Sequence, residues 1–176
     1  FAQESREERL SALRQKPVPL VRSAAGDLWM VDRHHRLRGL LGLDPHASAW
    51  GYVIAEPAVS DPQEVLAFLE AKGWLYLVDG RGNGPRMAAE LPGSLLDLDD
   101  DPYRSLVWKL KKEGFIKPQP QIPYHEFRWG AWLRRRPLPP FSSRSLEPAL
   151  APARRLVCSP AASDMAGWRG DKKACR

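Results

Sequence analysis

The segment Asp32-Arg33-His34-His35-Arg36-Leu37-Arg38 holds the densest run of chemistry-bearing side chains in the protein. It follows an apolar run, Leu28-Trp29-Met30-Val31, and opens an apolar-periodic segment, which places it where a strand gives way to a helix. The first turn of a helix carries unpaired backbone N–H groups and partial positive charge. Imidazole and guanidinium groups added there make an anion site, most simply a phosphate site. Arg33, His35, Arg36 and Arg38 are the candidate phosphate or nucleotide ligands, with His35 and Arg36 the best placed. Asp32, His34 and His35 are the candidate catalytic groups, because an imidazole beside a carboxylate can serve as general base or metal ligand. Consecutive helical residues project about 100° apart, so these side chains cannot all face one core. The competing structural reading is a solvated helix cap.

Three further groupings bear on that chemistry. Asp99, Asp100 and Asp101, together with Asp32, are candidate ligands for a divalent cation such as Mg2+ or Mn2+, which phosphoryl chemistry often requires. The bland reading of the aspartate run, an acidic helix start that suits the helix dipole, is the favoured one. Lys109, Lys111 and Lys112, with Arg134, Arg135 and Arg136, form two basic patches beside Tyr103, Trp108, Trp129 and Trp132. Trp129, Trp132 and Leu133 share a helix face and read as core. The cations are left as a candidate nucleic-acid face. Glycines 80, 82 and 84 make only a weak phosphate-loop signal, because neither a Lys-Ser/Thr pair nor an immediate helix follows, and read as a surface turn. Glu126 beside His125, and Glu4, Glu7 and Glu8 near the start, are carboxylates to which the sequence assigns no partner.

The elements that must position these groups follow from periodicity and punctuation. Residues 4–15 read as a charged helix with Leu10 and Leu13 inward, ended by Lys16-Pro17. Residues 18–21 and 27–31 read as strands joined by an Ala-Ala-Gly turn. Asp32 is expected to cap a helix over 33–42, which Gly42 stops. A strand over 50–55 precedes a capping box at Ser60-Asp61-Pro62-Gln63 and a helix to Lys72 that buries Val65, Leu66 and Leu69. Residues 74–78 read as a fourth strand. From residue 94 the pattern turns helical, with helices expected over 103–113, 124–136 and 145–157, the last despite Pro148 and Pro152.

The expected fold is therefore α/β (α+β): a small mixed sheet with helices over 1–90, then a helical basic extension over 91–176 packed on it. At 176 residues and 43% hydrophobic, the chain suits one globular domain with a real core. It has no apolar run of about 18 residues and no recognisable signal peptide, so no membrane partner is expected. Its first residue, Phe1, leads us to expect that an N-terminal segment has been removed. The net charge of +6 hides an asymmetry: residues 1–100 hold 11 Lys+Arg against 15 Asp+Glu, and residues 101–176 hold 16 against 6. A lopsided basic half suits a polyanionic partner such as DNA. Cys158 and Cys175 have neither CxxC nor zinc spacing. Two free thiols are the default expectation, and a tail-clamping disulfide would need an oxidising compartment.

The order helix, Lys-Pro-Val-Pro-Leu-Val, turn, strand, Asp-x-His-His-Arg resembles the ParB/sulfiredoxin-like fold. In that fold a short motif at a strand-to-helix junction binds nucleotide phosphates. The chain looks most similar to ParB-like nucleases, through Pro17 to Val21, Asp32 to Arg36, Leu91-Pro92-Gly93-Ser94, Asp99 to Leu106, Phe127-Arg128-Trp129 with Arg134, and Met165 to Gly170. The sulfiredoxin cysteine position holds His34, so the resemblance does not imply sulfinic-acid reduction, which needs a thiolate. The glycine usual before the histidines is Arg33. The resemblance implies binding of a nucleotide or DNA phosphate at Asp32–Arg36, metal-dependent phosphodiester hydrolysis and binding or hydrolysis of ATP. The alternatives are a small-molecule kinase using ATP or ADP, like the free-serine kinases of this fold, and a non-catalytic nucleotide- or DNA-binding protein.

Overall fold

The structure, a computed structural model, describes residues 5–170 and residue 175. Glu4 lies outside them. Among the described residues the elements are α1 (Arg6–Gln15), β1 (Val18–Arg22), β2 (Leu28–Met30), α2 (His34–Leu41), β3 (Gly51–Ala55), α3 (Pro62–Ala71), α4 (Pro102–Lys112), α5 (His125–Arg134) and α6 (Glu147–Cys158). Short 3-10 turns lie at Ala88–Glu90, Leu95–Asp97 and Pro160–Ala162. The chain forms two compact units. Unit 1 runs to Leu77 and resumes over Met87–Leu98, and unit 2 takes Val78–Arg86 and the chain from Asp99 onward.

Unit 1 is built on a three-stranded sheet of order β2-β1-β3. β1 pairs antiparallel with β2, Leu20 opposite Met30, and parallel with β3, Val18 opposite Gly51. A parallel pair needs a long crossover, and here β2 and α2 lie within it. A Cβ at Gly51 would press on the tip of the Leu20 side chain, so a larger residue there requires Leu20 to shift. Val21, Val65 and Leu69 form the core between sheet and α3, with Trp29, Val31, Trp74 and Leu75 packed on it. Ser5 and Glu8 cap α1 reciprocally, Glu8 N–H to Ser5 Oγ at 3.2 Å and Ser5 N–H to Glu8 Oε2 at 2.7 Å. Leu13 is buried, whereas Leu10, expected inward, is exposed. α3 is capped by Asp61 rather than Ser60; its carboxylate accepts from the Gln63 and Glu64 amides, with Pro62 opening the helix. α3 closes on Gly73 at φ +66, where the Gly73 and Trp74 amides return to Glu70 and Leu69 carbonyls. Residues 74–78 form no strand. Trp74 meets Phe68 edge-on at 6.2 Å and is held by packing. An apolar run reports burial, and burial here comes without a ladder partner.

Unit 2 is helical. Leu106, Val107 and Leu110 of α4, Trp129 and Leu133 of α5, and Ala149, Ala153 and Val157 of α6 share one core with Ile116. The Trp129 face expected to be core is core. Two side chains of α5 converge on the Ala166 carbonyl: Trp129 Nε1 donates at 2.9 Å and the buried His125 ring meets it through Nε2 at 2.8 Å. The next residue, Gly167, has φ +85, and a Cβ there would overlap the Lys117 carbonyl oxygen. The run from Met165 to Gly170 is therefore a closing brace for unit 2. Cys158 and Cys175 form a disulfide with their Cα atoms 5.4 Å apart, which corrects the expectation of free thiols.

Candidate functional site

The junction between β2 and α2 is anchored from below. Trp29 and Val31 pack on the unit 1 core, and the Val31 amide donates to the Pro19 carbonyl at 3.1 Å. From the far side Leu40 is buried and α2 rests on the turn Leu95–Asp97. Between these anchors the chain reverses at Arg33, whose φ of +78 lies in the left-handed region. That conformation is one glycine adopts without strain and an L side chain rarely does, so Arg33 carries a backbone cost here. It also corrects the expected cap: Arg33, not Asp32, is the N-cap residue, and no side chain caps α2. Its first turn holds no acidic residue either. The other two described α-helices of unit 1 are capped, by Ser5 and by Asp61.

The cationic and titratable groups distribute around this open end. Asp32 is exposed, with Oδ2 3.6 Å from Arg33 Nη1. His34 turns inward. Burial pushes its imidazole below the usual range, opposed by the nearby Asp32 carboxylate and a hydrogen bond to the Met30 carbonyl. It is accordingly held neutral against the end of β2. His35 is exposed and Arg36 half-buried. Arg38, one turn on, approaches the Leu96 carbonyl with Nη2 at 3.4 Å. That partner is 58 residues away and left no trace in the local sequence.

The candidate metal and nucleic-acid residues lie in unit 2. Among the described residues no three His, Cys, Asp or Glu side chains gather as a metal group. Asp99 and Asp100 are exposed. Asp101 caps α4, accepting from the Tyr103 amide at 2.9 Å and the Arg104 amide at 3.1 Å, and pairs with Arg134 at 2.9 Å. Burial pushes its carboxyl up, against the pull of those amides and Arg134. The favoured reading of the aspartate run as a helix start therefore describes Asp101.

Several of the expected DNA-facing cations are engaged within the unit. Arg134 donates to Asp101 and to the Gly80 carbonyl and lies over the Tyr103 ring at 4.4 Å. The glycine-rich turn matters here: a Cβ at Gly82 would press on the Arg134 side chain, so the turn is shaped to receive it. Lys111 pairs with Glu126, giving that carboxylate the partner the sequence could not assign. Burial raises the Glu126 carboxyl, but Lys111, a backbone hydrogen bond at Glu126 and the Arg104 charge together bring it below the usual range. Glu113 is shared by Lys109 at 3.5 Å and Arg154 at 2.8 Å. Arg136 stacks on Trp132 and donates to its carbonyl. Lys112 lies over Trp108 at 4.3 Å and Arg135 ends α5, both exposed. The glycines at 80 and 82 were the one signal in the sequence for the Arg134 clamp, and they pointed to a turn without its occupant.

Comparisons with known proteins agree with this architecture. Residues 1–135 match the family model described as "Putative ParB-like nuclease". A solved structure, that of protein Atu1540 from Agrobacterium tumefaciens, is 28% identical, with a TM-score of 0.78 over 93% of this chain and 86% of that one. No curated protein matches. No described helix is long and apolar enough to cross a membrane.

Proposed function

Because this chain belongs to the ParB-like nuclease family, we propose that unit 1 binds the phosphate of a nucleotide or nucleic-acid backbone at the start of α2, as the phosphodiester-handling part of a nuclease. One observation carries the reading. Among the described α-helices of unit 1, α2 is the one that begins with neither a side-chain cap nor a first-turn acid, and Arg33, His34, His35 and Arg36 crowd that end. An anion would take the place of the missing cap, held by the first-turn amides and the Arg36 guanidinium.

In this reading His34 and His35 divide the work. His34, neutral and bound to the Met30 carbonyl, fixes the turn. His35, exposed beside the proposed phosphate, is the group placed to accept or return a proton during attack on phosphorus. A metal would arrive with the substrate, since Mg2+ is commonly held by one or two carboxylates together with substrate phosphates, and Asp32 is the one carboxylate in the motif. It would supply charge neutralisation at phosphorus. A nucleotide such as ATP remains an equal candidate for the bound phosphate.

The test combines binding and turnover. Arg36→Ala should weaken binding of ATP or a short oligonucleotide by roughly tenfold or more, the loss expected for a hydrogen bond to a charged group. His35→Ala should retain binding and lose nicking of supercoiled plasmid in Mg2+ or Mn2+. Binding unchanged in Arg36→Ala, with the fold intact by circular dichroism, would remove the phosphate from this site. Binding without nicking under any metal would favour the non-catalytic alternative.

A further inference from the structure

Unit 2 contains a pocket of about 450 Å3 that the phosphate reading does not use. Its volume lies in the range of small-molecule sites. The walls are ring side chains: Tyr103 at the start of α4, and Pro139, Pro140 and Phe141 from the segment after α5. Tyr103 and Phe141 meet edge to face with centroids 4.9 Å apart, which leaves ring surface in a fixed orientation. Arg134 lies over Tyr103, its donors already directed at Asp101 and Gly80. It serves as a flat, neutralised part of the wall. Two exposed groups of opposite charge also line the pocket, Arg81 from the glycine-rich turn and Asp100 before α4.

Three properties together define the ligand. The aromatic ring of Phe141, flanked by the flat apolar faces of Pro139 and Pro140, calls for a flat body with a π face. A guanidinium and a carboxylate call for an edge offering both an acceptor and a donor. Their opposite charges, with Arg134 already paired to Asp101, leave no excess of positive charge to hold a phosphate. A neutral nucleobase has this set of features. We propose that the pocket is a nucleobase-binding site, with the ring against Phe141 and its polar edge read by Arg81 and Asp100. The proposal stands on unit 2 alone and does not depend on phosphate binding at α2.

The test uses nucleosides, which lack phosphate. Adenosine, guanosine and cytidine are titrated into the whole protein by calorimetry, with ligand-observed saturation transfer as a second readout. At least one should bind. Phe141→Ala should weaken that binding by about tenfold, the loss of one base–aromatic contact. Arg81→Ala should weaken it measurably, and Arg36→Ala should leave it unchanged. Phe141 packs on the unit 2 core, so if Phe141→Ala is unfolded by circular dichroism the exposed Arg81→Ala decides. The proposal is overturned if no nucleoside binds at millimolar concentration or if the affinity is unchanged in Arg81→Ala. It is also overturned if Arg36→Ala abolishes binding, or if free tryptophan binds as well as the best nucleoside, which would mark a site for a zwitterion.

Discussion

Replacing Arg134 by alanine separates two roles for one cation. As a DNA contact, its loss would lower affinity and leave stability alone. The structure gives it internal work instead. It pairs with an Asp101 carboxylate that is 7% exposed, while its own side chain is 23% exposed. A hydrogen bond between charged groups contributes about 1.5–3 kcal/mol, and a cation over an aromatic ring about 0.5–1 kcal/mol. Breaking a fully buried pair costs about 3–5 kcal/mol because a bare charge stays behind. Asp101 would not be bare, since the Tyr103 and Arg104 amides still donate to it. The expected loss is therefore about 2–3 kcal/mol, or roughly 2–4 °C in Tm for each kcal/mol in a chain of this size. Urea unfolding followed by tryptophan fluorescence reports it, because Trp129 and Trp132 lie in the same unit. Arg135→Ala, at an exposed helix end, is the control and should stay within about 0.5 kcal/mol of the unmodified protein. Equal stabilities for the two variants, with a DNA affinity that falls only in Arg134→Ala, would refute the clamp.

His34 is neutral in the folded state because burial lowers its pKa. Its contribution is thus fully present above the ordinary imidazole pKa of about 6.5 and is lost as pH falls through the lower folded value. His34→Gln should flatten that acid-side decline in urea midpoints measured between neutral and mildly acidic pH; an unaltered slope would mean another group titrates there. Cys158 and Cys175 are 17 residues apart, and a loop of that size stabilises by about 3 kcal/mol through constraint of the unfolded chain. Cys175→Ser, or reductant added to the unmodified protein, should lower Tm by several degrees, and a Tm indifferent to reductant would show that the bond contributes nothing.

The parts of this fold that were legible in the sequence are those written in local chemistry. Asp-Pro at 61–62 and at 101–102 announces two helix starts, and both are where the pattern puts them. The strand-to-helix junction at residue 32 was visible as a change of period, and the mixed sheet with a helical second half followed. The misreadings share a cause, which is a partner distant along the chain. Trp74 and Leu75 resemble strand residues until the unit 1 core, with Val21 of the sheet in it, claims them. Arg134 looks like a free cation until a turn 54 residues earlier supplies its carbonyl. Arg33 is a different case: its side chain advertised charge, while the backbone there takes a left-handed angle that the residue type does not announce.

The path of the chain through its two units carries a consequence for how such a protein can vary. The chain passes from unit 1 to unit 2 after Leu77, returns after Arg86, and leaves again after Leu98. Each unit thus holds a short piece whose neighbours in sequence belong to the other. The borrowed piece in unit 2 brings the Gly80 carbonyl that Arg134 needs, and the one in unit 1 brings the Leu96 carbonyl that Arg38 approaches. A single cut between residues 78 and 98 therefore cannot release either unit whole. A single recombination point in this stretch likewise splits both units at once, although each has its own core.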